Sequence, residues 1–307
     1  MAKPRSKVKD YFVYLVVRMV VCFLQMLSFE TARSLASLLA RLACWLDRRH
    51  RLVARDNLKH AFSTRFSEQQ LDQLVKAVYV HFCELLIEII HMPRKLHIYN
   101  WKRYLELTSG DKVVSALLSE RPLLMVTGHF GNWELAGYAL GMFGFRTYAV
   151  ARTLDNPYLD RFLRRFREGT GQQILDKNRD YERMLDIMSS GGKIATLADQ
   201  SAGQRGLFVD FFGRPASTHK AIALLSLQFQ CPLMVIGVRK TTRERYRLIV
   251  ADIIDPADYD GNRNAVRDIT QRFTTALERM VRSAPEQYFW LHNRWKHQPK
   301  PRQRKAA

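Results

Sequence analysis

Apolar positions follow two regimes along the chain. Up to about residue 100 they recur at helical spacing. Beyond that, short apolar runs alternate with amphipathic stretches. Residues 11–29 read YFVYLVVRMVVCFLQMLSF, close to the roughly 20 apolar residues that span a bilayer. Arg18 interrupts the run, at about 2.5–3.5 kcal/mol on insertion scales. Lys3, Arg5, Lys7 and Lys9 precede it. No small-residue cleavage site follows, so the run predicts a transmembrane helix or an in-plane anchor rather than a signal peptide.

Leu35, Leu38, Leu39, Leu42, Trp45 and Leu46 predict a helix over 31–46, with Thr31 as its cap. A basic stretch over 48–62 continues helically. Ser67 and Gln70 form a capping-box pattern ahead of a helix running to about residue 91, which Pro93 ends. After residue 100, apolar runs at 122–127, 146–150, 193–198, 208–212, 232–240 and 245–252 read as strands. Helical patterns cover 132–142, 157–168, 180–189, 218–229 and 263–282. This alternation predicts an α/β fold: a mostly parallel or mixed central sheet flanked by helices, with a helical N-terminal extension and membrane anchor. The last two strands are joined too tightly for a parallel crossover. The organisation expected is a basic start and apolar anchor over 1–30, a helical extension over 31–100, an α/β core over 101–296 and a basic tail over 297–307.

Of the 307 residues, 47% are hydrophobic, which excludes wholesale disorder. The four cysteines are scattered, so a zinc ribbon, a thioredoxin-type site and a disulfide framework are not expected, and a reducing cytosolic face is the simplest compartment. Nine histidines include no H-E-x-x-H pattern, and no metal or cofactor is predicted. The net charge of +20 changes the picture more. It suits nucleic acid, an anionic membrane surface or an acidic carrier protein. Neither a nucleic-acid module nor aromatic platforms amid basic residues occur, so nucleic acid is set aside.

The segment VTGHFGNWELAG, residues 126–137, carries the candidate chemistry. His129 follows a buried strand, at the end where open α/β sheets place their ligands. Gly131 permits a tight path, Asn132 is a helix cap, and Glu134 falls in the first helical turn. The turn can fold His129 back over Glu134. A carboxylate on one ring nitrogen fixes the tautomer and leaves the other free to take a proton from a substrate hydroxyl. Thr127 and Phe130 stand where a serine-hydrolase elbow would need other residues. The chemistry that fits is direct attack of a substrate hydroxyl on an activated acyl group.

GHFGNWEL resembles the His-x-x-x-x-Glu motif of the late acyltransferases of lipid A biosynthesis, within the lysophospholipid acyltransferase-like superfamily. Three further blocks are similar to that family's and lie in the same order: 151–167 with Arg152, Asn156, Pro157 and Asp160; 197–221 with Asp199, Gln200, Gly203, Phe208, Phe211, Phe212, Gly213 and Pro215; and YFWLHNRWK at 288–296. The resemblance implies transfer of a fatty acyl chain from an acyl carrier protein or coenzyme A thioester to a hydroxyl of an anionic glycolipid, a lipid A precursor. It implies a bacterial inner-membrane enzyme whose catalytic domain faces the cytoplasm. His129 would be the general base, Glu134 its orienting partner and Arg167 the oxyanion stabiliser. Asp199 would orient Arg167 or contact the acceptor, and Arg152 would contact an acceptor phosphate. Trp133 is expected in packing, and His292 and His297 in packing or at the surface. Lysophospholipids, phosphatidylinositol mannosides and ornithine lipids are the alternative acceptors, and a non-catalytic membrane protein of the same fold the alternative class.

Overall fold

The computed structural model describes residues 6–299. Lys3, Arg5 and the tail residues Lys300, Arg302, Arg304 and Lys305 lie outside the described residues. Four helices lead the chain: α1 (Lys7–Met26), α2 (Phe29–Leu46), α3 (Arg48–Phe62) and α4 (Glu68–Lys95). Ser28, not Thr31, caps α2, since its hydroxyl accepts the Thr31 amide. Ser67 and Gln70 do form a capping box. Pro93 sits inside α4 rather than ending it; in the last turn its missing N–H costs one hydrogen bond, and the helix closes two residues later. No helix among the described residues is long and apolar enough to cross a membrane. The transmembrane reading of 11–29 therefore gains no support: Arg18 divides the run, and α1 carries Lys7, Lys9 and Asp10 in its first turn.

Helix α2 packs against α4 through small residues. Ala32 and Ala36 are buried with Ile87, and Ala40 and Cys44 continue the stripe. Helices α3 and α4 enter the main core, where Leu58, Phe62, Leu71 and Val75 meet Phe212 and Trp290.

The remaining chain forms α5 (Trp101–Tyr104), β1 (Leu105–Leu107), α6 (Gly110–Leu118), β2 (Leu123–Thr127), α7 (Trp133–Met142), β3 (Tyr148–Ala151) and α8 (Pro157–Glu168). It continues through β4 (Gln173–Asp176), α9 (Tyr181–Ser189), β5 (Lys193–Leu197), β6 (Leu207–Phe211), β7 (Arg214–Thr218) and α10 (Ala221–Gln228). It ends with β8 (Leu233–Lys240), β9 (Tyr246–Ile254) and α11 (Ala265–Ser283). Seven strands make one sheet in the order β1-β9-β8-β2-β5-β3-β4. Neighbours from β8 to β4 are parallel, β8 and β9 are antiparallel, and β1 runs with β9. The fold is thus mixed α/β, with a mostly parallel sheet flanked by helices, as the alternation predicts. The apolar run at 208–212 is half of a separate antiparallel hairpin, β6–β7.

Candidate active site

Sheet register builds the centre of the site. Strands β2 and β5 are parallel neighbours, and Thr127 pairs with Leu197 at their last step. His129 and Asp199 each lie two residues beyond that pair, so both emerge at the same carboxyl edge. Asp199 Oδ2 accepts the His129 backbone N–H at 2.8 Å, and Oδ1 lies 2.9 Å from ring Nδ1. Gly128 eases this approach: a Cβ there would lie 3.2 Å from Asp199, which would have to give by a few tenths of an ångström. Ring Nε2 makes no hydrogen bond to the described residues.

The His129 partner thus differs from the expected one. Glu134 turns away from the imidazole and takes Arg167 in a bidentate ion pair, Nε to Oε2 at 2.9 Å and Nη2 to Oε1. The reason is helical geometry. Glu134 stands in the first turn of α7 and Arg167 in the last turn of α8, and these helices pack together. Asp199 therefore does not orient Arg167. Trp133 joins the two pairs: its ring centroid is 5.0 Å from that of His129, and its Nε1 donates to Glu134 Oε1 at 3.2 Å.

Burial disfavours a charged imidazole, but the Asp199 carboxylate, and more weakly Glu134, override it and raise the His129 pKa above its ordinary value. Burial likewise opposes ionisation of Asp199, yet its charge and hydrogen bonds with His129 hold its pKa below the usual range. Burial pushes the Tyr288 hydroxyl well up, and its hydrogen bond to Asp199 adds to this. Arg167 is held charged by Glu134 against the cost of burial.

The loop between His129 and α7 is clamped from several elements. The Gly131 amide donates to the Gln287 carbonyl and the Asn132 amide to the Val238 carbonyl, both at 2.8 Å. Gly131 has φ +59°, and a Cβ there would lie 1.8 Å from the Val238 oxygen, so only glycine fits. From α4, His81 Nε2 meets the Gly131 carbonyl at 3.3 Å; burial pushes its pKa down to about 4, which keeps it a neutral donor. Glu88 accepts Asn132 Nδ2 at 3.0 Å, while Asn132 Oδ1 caps α7 on the Leu135 amide at 2.9 Å. Lys240 bridges Glu88 at 2.6 Å and Glu84 at 2.8 Å, and Arg33 reaches Glu84 at 3.0 Å.

Arg152 stands apart, its side chain 76% exposed and 3.3 Å from Asp155. His292 Nε2 accepts the Ser201 amide at 3.1 Å, and His297 Nδ1 lies 3.1 Å from Ser201 Oγ, so both serve the loop after Asp199. Sequence reasoning missed Tyr288, Glu88 and His81. The capping pattern at Asn132 was the one local signal that this turn needed support. Glu134 and Arg167 themselves line a cavity of about 590 Å³, counting its open part, together with Trp133, Leu140, Ala149 and Ile236.

The family model of bacterial lipid A biosynthesis acyltransferases matches residues 2–297. The chain belongs to that family. It is therefore an acyltransferase. The lipid A biosynthesis palmitoleoyltransferase of Escherichia coli is 24% identical over 260 residues, covering 82% of this chain and 80% of that protein. The lipid A biosynthesis lauroyltransferase of the same organism is 26% identical over 200 residues, 64% of this chain and 63% of that one. A phosphatidylinositol mannoside acyltransferase of Mycolicibacterium smegmatis is 24% identical over 162 residues, 51% of this chain and 53% of that one. Among solved structures, the 1-acyl-sn-glycerophosphate acyltransferase PlsC of Thermotoga maritima aligns with a TM-score of 0.36 and 11% identity, over 80% of this chain and 98% of that one.

Proposed function

We propose that this lipid A-type acyltransferase works at the cytoplasmic face of a bacterial inner membrane. It moves a fatty acyl chain from a carrier thioester to a hydroxyl of a lipid A precursor or related glycolipid. His129 is the general base. Its Nε2 takes the proton of the acceptor hydroxyl as that oxygen bonds to the thioester carbonyl carbon. The tetrahedral intermediate then expels the thiolate, which takes the proton back from His129, leaving an ester and a free thiol. Asp199 fixes the tautomer and stabilises the imidazolium, the role first given to Glu134. Arg167, held by Glu134, presents Nη1 to the oxyanion. The apolar cavity beside that pair takes the donor acyl chain, and Arg152, exposed beside Asp155, meets an acceptor phosphate.

The observation that carries this reading is the His129–Asp199 pair at the carboxyl edge of β2 and β5, with Nε2 unpartnered among the described residues. Acyl carrier protein and coenzyme A are both suitable donors, and a +20 chain attracts either. The test offers both thioesters with a tetraacylated lipid A precursor, a lysophospholipid or a phosphatidylinositol mannoside. Transfer to the lipid A precursor is expected. The mannoside is the second reading, favoured by the mycobacterial relative; transfer to it alone would move the acceptor to that class.

A further inference from the structure

Away from the catalytic loop, a groove between α2, α3 and α4 has a chemistry that acyl transfer does not use. Its volume is about 1070 Å³, counting the part open to solvent, and Arg41, Arg51, Arg55 and Lys76 line it beside Trp45 and Leu52. Asp72 is the one carboxylate among the described lining residues, and it is occupied by Arg55 at 2.7 Å. Arg51 Nη1 is spent on the Cys44 and Trp45 carbonyls at the end of α2, at 2.7 and 3.0 Å. Arg41 and Lys76 make no hydrogen bond or ion pair with the described residues.

The groove adjoins an apolar stripe. Helix α2 turns its alanines inward and its large side chains outward: Leu38 is 63% exposed, Trp45 71% and Leu46 64%, with Leu39 and Leu42 between them. A helix in water buries the opposite face. Leucines and a tryptophan continuous with unpaired cations match one environment, the headgroup boundary of an anionic bilayer.

We propose that this groove binds the phosphate-bearing headgroup of an anionic bilayer phospholipid, with Arg41 and Lys76 on the phosphate and Trp45 with the outward leucines in the adjoining acyl-chain boundary. The proposal rests on the membrane association in the reading above and adds a lipid site separate from the catalytic one. An acidic protein would match the cations but would leave the stripe along α2 uncovered.

The test is flotation of the full chain on phosphatidylcholine vesicles with and without phosphatidylglycerol. Each basic side chain at an anionic surface contributes about fivefold to partitioning. Arg41→Gln/Lys76→Gln is therefore expected to lose about 25-fold of the preference for phosphatidylglycerol, with an unchanged unfolding midpoint. Arg263→Gln/Arg267→Gln, an exposed pair flanking the N-terminus of α11 and outside the groove lining, serves as control and loses much less. Equal losses in the two double variants, or wild-type preference in the first, overturn the proposal. So does binding of inorganic phosphate at the groove without vesicle preference, or weakened use of an acidic carrier thioester with vesicle binding intact. His129→Ala keeps the vesicle preference, so a failure of the transfer chemistry and a failure of this site are read separately.

Discussion

Asp199 holds His129 by two atoms, one carboxylate oxygen on the backbone N–H and the other on ring Nδ1. One side chain thus sets the place of the loop and the tautomer of the ring. In Asp199→Asn, the amide oxygen stays on the backbone N–H, and the amide nitrogen faces the ring as a donor. Nδ1 must then accept, and the proton moves to Nε2. A fall in turnover of about 10³–10⁴-fold is expected, as for a triad aspartate. The charge is lost too, and the sign follows. The working base is neutral, so wild-type rate rises with pH along a limb set by the raised His129 pKa, above 6.5. In Asp199→Asn that limb moves to lower pH. Stability follows the same pair. The His129 share is full below its unfolded pKa and is lost as pH rises through the raised folded one. The Asp199 share is present above its unfolded pKa and is lost as pH falls through the lowered folded one. Rate–pH profiles and unfolding midpoints against pH check both.

The pair of Glu134 and Arg167 is mostly buried, at 11% and 23% side-chain exposure. Removing one partner strands a charge, which costs about 3–5 kcal/mol. Glu134→Ala and Arg167→Ala are each expected to destabilise on that order, and the double variant by clearly less than their sum. Arg167→Lys keeps the charge and loses the fork, so kcat is expected to fall about 10²–10³-fold if the guanidinium meets the oxyanion. Denaturant titration of the cycle and initial rates read the two effects.

Asn132 has its amide orientation set by Glu88, which only accepts in its charged form. Glu88→Ala removes that anchor and leaves Lys240 with Glu84 alone. Asn132 Nδ2 is left buried without its acceptor, and a destabilisation of about 1–3 kcal/mol is expected. Glu88→Gln keeps the acceptor for Asn132, and is expected to recover turnover more fully than stability. Parallel melts and rates test this.

Ala149 lines the same cavity as Glu134. Ala149→Leu adds roughly three methylene-sized groups there, each about 0.8 kcal/mol of lost or gained contact. The preferred donor chain is expected to shorten, with little change in rate on short thioesters. A thioester length series measures it.

The parts of this fold and site that sequence carries are those with local signals. Helix α8 is legible in the sequence, because Asn156 and Pro157 punctuate its start and Tyr158, Leu159, Phe162, Leu163 and Phe166 recur at helical spacing up to Glu168. The antiparallel turn of β8 and β9 follows from the short link between them. Strands β1, β4 and β7 are only three to five residues long, too short for a period to mark them in the sequence. The strand-turn-helix setting singles out His129 as a candidate. Its partner was misassigned because nearness in sequence favours Glu134, whereas contact with Asp199 is created by pairing β2 with β5 across the sheet. Tyr288 and Glu88 reach the site from still more distant segments.

The most direct test of the account is acyl transfer by His129→Ala beside wild type, with unfolding midpoints measured on both. General-base help is worth about 10²–10⁴-fold. The account predicts at least that loss in a chain that still melts cooperatively. Wild-type turnover in a folded His129→Ala protein would contradict it.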